Sequence, residues 1–147
     1  MDHRAIAVFT TAIVGGLVAA QAPINARLGK EIGSFPAATI SFATGLLLLA
    51  TIAFVAGGGF SKLGDASIPW YYFVGGLLGA AYVTTVLVTV RTLGAGGVTA
   101  ATITGQLTTA VIIDHFGVLG LTKHPITATR MAGVLLLGIG MYLIVAD

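Results

Sequence analysis

The chain has no cysteine, little charge and only three histidines, and each scarcity removes a class of function. Without cysteine there is neither a disulfide framework nor a thiolate metal site. His3, His115 and His124 are too scattered to hold a metal ion. Charged residues make up 8% of the 147, against roughly 25% in soluble domains, so these residues cannot build a water-facing surface. Seven basic residues oppose five acids, but they are spread along the chain, and no basic patch exists for nucleic acid. Catalytic patterns are missing as well: there is no nucleophile–base pair, no HExxH and no pair of catalytic carboxylates. Gly94, Gly96 and Gly97 resemble a phosphate loop only superficially, because no Lys-Ser/Thr ending follows them. The chain reads as a non-enzyme without a cofactor.

What it does contain is apolar sequence, 56% of all residues. The apolar runs predict an all-α polytopic protein of the cell membrane with the lipid bilayer as its solvent, folded as one transmembrane domain over residues 1–147. Five spans are expected at about 5–21 (extendable to 28), 37–56, 70–90, 98–121 and 126–145. Each approaches the ~20 residues that cross ~30 Å of hydrocarbon as helix, and continuous apolar runs exclude the alternation of a barrel strand. Trp70, Tyr71 and Tyr72 open the third span and Tyr142 nearly closes the fifth, as interfacial anchors do. Breaker-rich connections separate the spans at 33–36, 57–69, 94–97 and 123–125. No internal repeat is visible. The N-terminal run, with Ala19, Ala20 and Ala22 after it, imitates a signal peptide, but it is longer than a typical signal core and leads directly into a further span.

The short loops hold Lys and Arg in almost equal number on the two sides. With five spans, Arg4, Lys62, Lys123 and Arg130 fall on one side and Arg27, Lys30 and Arg91 on the other. Since basic loop residues set orientation, four against three gives almost no bias. One reading is that one or two flanking charges dominate and fix a single orientation. The other is dual topology, in which copies insert both ways and pair as an antiparallel homodimer, making from one chain the inverted repeat that many transporters carry within a longer one.

Gly15, Gly16, Gln21, Asn25, Leu28, Gly29, Lys30 and Gly33 open a pattern that continues through the run from Gly75 to Gly79. Gly105-Gln106, the stretch Ile113-Asp114-His115-Phe116-Gly117, and Pro125, Thr127, Arg130 and Gly133 complete it. Over essentially the whole length this resembles the short, five-helix, EamA-like branch of the drug/metabolite transporter superfamily. The resemblance implies a half-transporter that must pair, either with itself or with a paralogous five-helix chain. The chain departs from the related small multidrug resistance proteins in having five spans and no acid in the first, so their glutamate-centred antiport does not carry over.

Polar groups at membrane depth are the candidate working residues. Asp114 is the only acid well inside a span and reads either as a protonatable coupling site or as the partner of Arg130, expected at similar depth on the following helix. His115, about 100° around the helix from Asp114, makes no facing dyad with it and reads as an interfacial or packing residue, with a proton relay as the alternative. Thr99, Thr102, Gln106 and Thr109 recur at spacings of three and four and form one polar stripe. Gln21 and Asn25 make an amide pair on the first helix. The substrate-contact expectation therefore rests on Gln106, Thr102, Thr109, Gln21 and Asn25, with the alternative that these groups glue helices together. Gly75/Gly79 and Gly76/Ala80 predict a close helix-packing face. The function expected is secondary transport of a small organic solute through a cavity between the first, third and fourth helices. The alternative is a non-transporting or heterodimeric membrane subunit.

Overall fold

The computed structural model describes residues 2–56, 58–61, 64 and 67–147. Lys62, counted above among the orienting charges, lies outside the described residues, as do Met1 and, within the connection at 57–69, Gly57, Leu63, Asp65 and Ala66. The described chain is almost wholly helical, and four helices are long and apolar enough to cross a membrane. It divides into two compact units, residues 1–91 and 92–147.

In the first unit, α1 (His3–Ile32) and α2 (Ser34–Ala56) form a tight helical hairpin. Asp2 caps α1 by accepting from the Arg4 N–H at 3.1 Å. The helix continues past the expected Gln21 and Leu28, running through the interior Pro23 without ending, and stops only at Gly33. At φ 93° Gly33 leaves the right-handed region, while its N–H still donates to the Gly29 carbonyl at 3.1 Å. Thirty residues reach ~45 Å, more than the hydrocarbon needs, so Arg27, Lys30 and Glu31 occupy the excess turns. The expected loop at 33–36 shrinks to Gly33 alone. Ser34, Phe35 and Pro36 already belong to α2, whose first turn tolerates a proline that donates no hydrogen bond.

The inner face of α1 is Ala22, Asn25, Ala26 and Gly29, spaced i, i+3, i+4, i+7. These are small side chains apart from Asn25, and they admit α2 closely, where Ala37 is fully buried and Ala38 nearly so. Leu87, from the next helix, fills the remaining space and is the one large side chain wholly buried among the described residues. A β-carbon on Gly29 would lie 2.9 Å from Leu87 Cδ2 and 3.1 Å from Arg91 Nη2. Arg91, expected in a loop, is instead helical and donates to Ser34 Oγ at 3.3 Å.

A single 3-10 turn, Trp70–Phe73, leads into α3 (Val74–Phe116). Its aromatics stack edge to face, Tyr71 against Trp70 and Tyr72, and stand exposed. The 43 residues of α3 are interrupted at Gly94, with φ 68° and ψ 172°. One residue replaces the expected loop at 94–97, because glycine alone enters this region without a Cβ penalty and the helix resumes at once. The expected packing face at Gly75 and Gly76 is open, with nothing within 4 Å of either added β-carbon. Only Gly79 of that set meets a neighbour, Phe42, at 3.7 Å.

The second unit is a helical hairpin of residues 95–116 and α4 (Ala128–Ala146). Gly96 and Gly97 receive Ile144 and Val145 of α4 at 3.9 and 3.6 Å. The first limb ends at Phe116, five residues short of the expected Leu121, because Gly117 at φ 62° donates to the Ile113 carbonyl at 2.9 Å and closes the helix in a left-handed cap. Leu119 and Gly120 also take positive φ, so helix cannot continue. Thr127 caps α4, accepting from the Arg130 N–H at 3.2 Å.

Candidate functional site

Two polar groupings stand out, one in each unit. In the first, Asn25 Nδ2 donates to Ser41 Oγ at 3.1 Å across the α1–α2 hairpin. Asn25 is the only buried polar side chain among the described residues, and its partner Ser41 gave no signal of its own in the sequence. Gln21, one turn earlier on α1, is exposed and has no hydrogen-bond partner among the described residues. Gln21 and Ser41 edge a half-open cavity of about 310 Å³ along α1 and α2, lined by Phe42, Gly45, Leu46 and Leu49, with Phe42, Leu46 and Leu49 themselves exposed. Phe42 and Leu46 separate it from a wider groove of about 590 Å³ between α2 and α3, where Thr39 and Thr84 are the hydroxyls in an otherwise apolar lining. The Thr39 hydroxyl donates to the Phe35 carbonyl at 3.0 Å, while Thr84 has no side-chain hydrogen-bond partner among the described residues.

In the second unit, Asp114 and Arg130 meet. Arg130 Nη2 lies 3.3 Å from Asp114 Oδ2, and Nη1 donates to the His124 carbonyl at 3.2 Å. The His124 N–H in turn donates to the Asp114 carbonyl at 2.8 Å. His115 Nδ1 accepts from the Ile126 N–H at 3.2 Å, so it ties down the connector rather than facing Asp114. The arrangement suits the helix dipoles crosswise. Asp114 stands at its own helix's negative end but beside the positive start of α4, and Arg130 the reverse. Because α3 stops at Phe116, the carboxylate sits in the last helical turn, shallower than a span to residue 121 implies. Both side chains remain about one-third exposed.

The Thr/Gln stripe is only partly free. Thr102 Oγ1 donates to the Thr99 carbonyl at 3.0 Å, and Thr104 and Thr108 on the neighbouring face return to carbonyls four residues back. Hydroxyls at membrane depth are satisfied in this way by their own helix. Gln106 and Thr109 are exposed and have no side-chain partner among the described residues. No group of three or more His, Cys, Asp or Glu capable of holding a metal ion occurs among the described residues.

The sequence model of family DMT_YdcZ, described as "Putative inner membrane exporter, YdcZ", matches residues 6–143. No curated protein and no solved structure matches the chain. With nearly its whole length covered, the chain belongs to this exporter family of the drug/metabolite transporter type, which bears out the resemblance carried by its glycine and polar pattern.

Proposed function

We propose, with membership of this exporter family as the premise, that the protein moves a small organic solute out across the cell membrane as a secondary transporter. The observation that carries the reading is the family match over residues 6–143 of a multi-pass helical chain. On this reading the chain crosses the membrane five times. The 43 residues of α3 reach ~65 Å, twice the hydrocarbon thickness, whereas residues 74–93 and 95–116 on either side of Gly94 each measure ~30 Å.

Five crossings make half of a transporter, and the second half is a copy inserted the other way. The near-even split of basic residues supports this, since neither orientation is favoured. So does the scarcity of buried side chains: α4 has none, leaving its apolar surface to lipid or to a partner. Asp114 and Arg130 act as a structural clasp at one end of the second hairpin, and the exposed amide of Gln21 in the first unit and that of Gln106 in the second are, each by itself, candidate solute contacts.

The test is transport by the purified chain. Liposomes containing it are loaded with a mixed extract of small organic solutes, and release is followed by mass spectrometry against protein-free liposomes. Selective, saturable loss of particular solutes is the expected result. Equal release from both preparations refutes the exporter reading.

A further inference from the structure

The cavity between α1 and α2 has a lining that limits what can fill it. Its walls are Phe42, Gly45, Leu46 and Leu49, with the Gln21 amide and the Ser41 hydroxyl as the polar groups and no formal charge. Gln21 is six residues before Arg27 and 17 after Arg4, which puts it ~9 Å and ~26 Å along the helix from the nearest charged positions and therefore within the hydrocarbon. An amide at that depth without a partner is costly. Ser41 is held by Asn25, itself more than nine-tenths buried, so one hydroxyl is fixed at the cavity edge while the Gln21 amide stays free to turn. The cavity, about 310 Å³ and half open along the helix surface, is mostly apolar with two polar groups converging on it, the composition of a small-molecule site whose open side is left to lipid or to the partner copy.

We infer that each protomer carries a solute site of its own in this cavity, selective for an uncharged, largely apolar molecule bearing one hydrogen-bonding group. This deepens the exporter reading, on which it rests, by naming the substrate class. The absence of charge in the lining excludes organic anions and cations, because transferring an ionised group into such a lining costs far more than one hydrogen bond returns. A lipid acyl tail matches the apolar walls but leaves the Gln21 amide unpaired. A neutral solute with one donor or acceptor satisfies both.

Indole, a flat neutral molecule with one N–H, is a suitable probe, and indole-3-acetate and tryptamine are its anionic and cationic derivatives. Tritiated indole is titrated by equilibrium dialysis against the full chain in nanodiscs, with empty nanodiscs subtracted. Saturable binding is expected for indole, at least tenfold weaker for either charged derivative. Gln21→Leu should weaken it about five- to tenfold, the loss of one net hydrogen bond. Gly45→Leu should abolish it while leaving the melting temperature nearly unchanged, since the space beside Gly45 is open and the added side chain enters the cavity. Gly45→Ala should give a smaller loss and serves if the leucine variant fails to fold.

Several results overturn the site: no saturable binding, as when an acyl tail occupies the cavity; equal binding of the charged derivatives; or binding and release indifferent to Gly45→Leu. Loss of cross-linked dimer in Gly45→Leu also overturns it, in favour of a second copy's helix as the occupant. Indole that binds as described but is never released from loaded liposomes upholds the site and refutes the exporter reading instead.

Discussion

Removing either partner of the Asp114–Arg130 pair tests whether the aspartate is a clasp or a working proton site. At 3.3 Å the gross Coulomb attraction at an effective dielectric of ~20 is ~5 kcal/mol, most of which is offset by desolvation and side-chain ordering. Fully exposed pairs retain ~0.2–1 kcal/mol, and breaking a buried pair costs ~3–5 kcal/mol. With both side chains about one-third exposed, this pair belongs between those limits, at a coupling of ~1–2 kcal/mol. Asp114→Asn and Arg130→Gln should each lower stability in detergent by that amount or slightly more, and Arg130→Gln should be the worse because it also releases the His124 carbonyl. The double variant should recover ~1 kcal/mol relative to the sum. The assay is reversible denaturation of the two single variants, the double variant and the parent, in one lipid–detergent mixture, with solute release measured on the same preparations. Additivity within ~0.3 kcal/mol refutes the pair as a stabilising unit. If, in addition, Asp114→Asn alone stops release while its stability is intact, the aspartate is a coupling site and not a clasp.

The same clasp and hairpin geometry yields other expectations. Gly29→Ala gains ~1 kcal/mol in helix propensity but drives a methyl to 2.9 Å from the fully buried Leu87, so overpacking of ~1–3 kcal/mol should leave it destabilised, and Leu87→Ala in the same chain should partly relieve the loss. A stabilised Gly29→Ala would show that the contact is absent. Gly117→Ala, forced to φ 62° with Lys123 Cβ 3.0 Å away, should cost ~1–2 kcal/mol in a melting experiment, whereas Gly105→Ala, helical with open space around it, should gain up to ~1 kcal/mol. Gln106→Leu should reduce solute release and leave the cross-linked dimer intact; a collapsed dimer with normal release would make Gln106 an interhelical contact. C-terminal reporters active only inside the cell and only outside it should both give signal, and two lysines added after Asp147 should shift the population towards C-terminus-inside. Signal from one reporter alone removes dual topology.

Much of this protein follows from its sequence by itself, because the bilayer imposes a simple rule. A chain with 56% apolar residues and 8% charge has to bury its backbone polar groups in helices, so the all-helical class and the multi-pass membrane character were readable without coordinates, and its glycine and polar pattern resembled the drug/metabolite transporter superfamily, whereas the export direction came only with the family match. Asp114 and Arg130 were readable as an expected pair for the same reason: isolated charges at membrane depth are too costly to stand alone. Helix ends were less legible. Hydropathy reports where lipid contact stops, and helix stops where a backbone bond cannot form, at Gly33, Gly94 and Gly117, all with positive φ. Hence α1 outran its apolar run by eleven residues beyond Gln21, and the limb after Gly94 ended five residues before its apolar run did. Side-chain partnership was decided by tertiary structure alone. Asn25 and Gln21 look alike in the sequence, but the α1–α2 hairpin buries one against Ser41 and leaves the other free at a cavity edge. That distinction depends on the packing of Gly29 and Ala37 around Leu87, contacts between residues as many as 58 positions apart that no local pattern encodes.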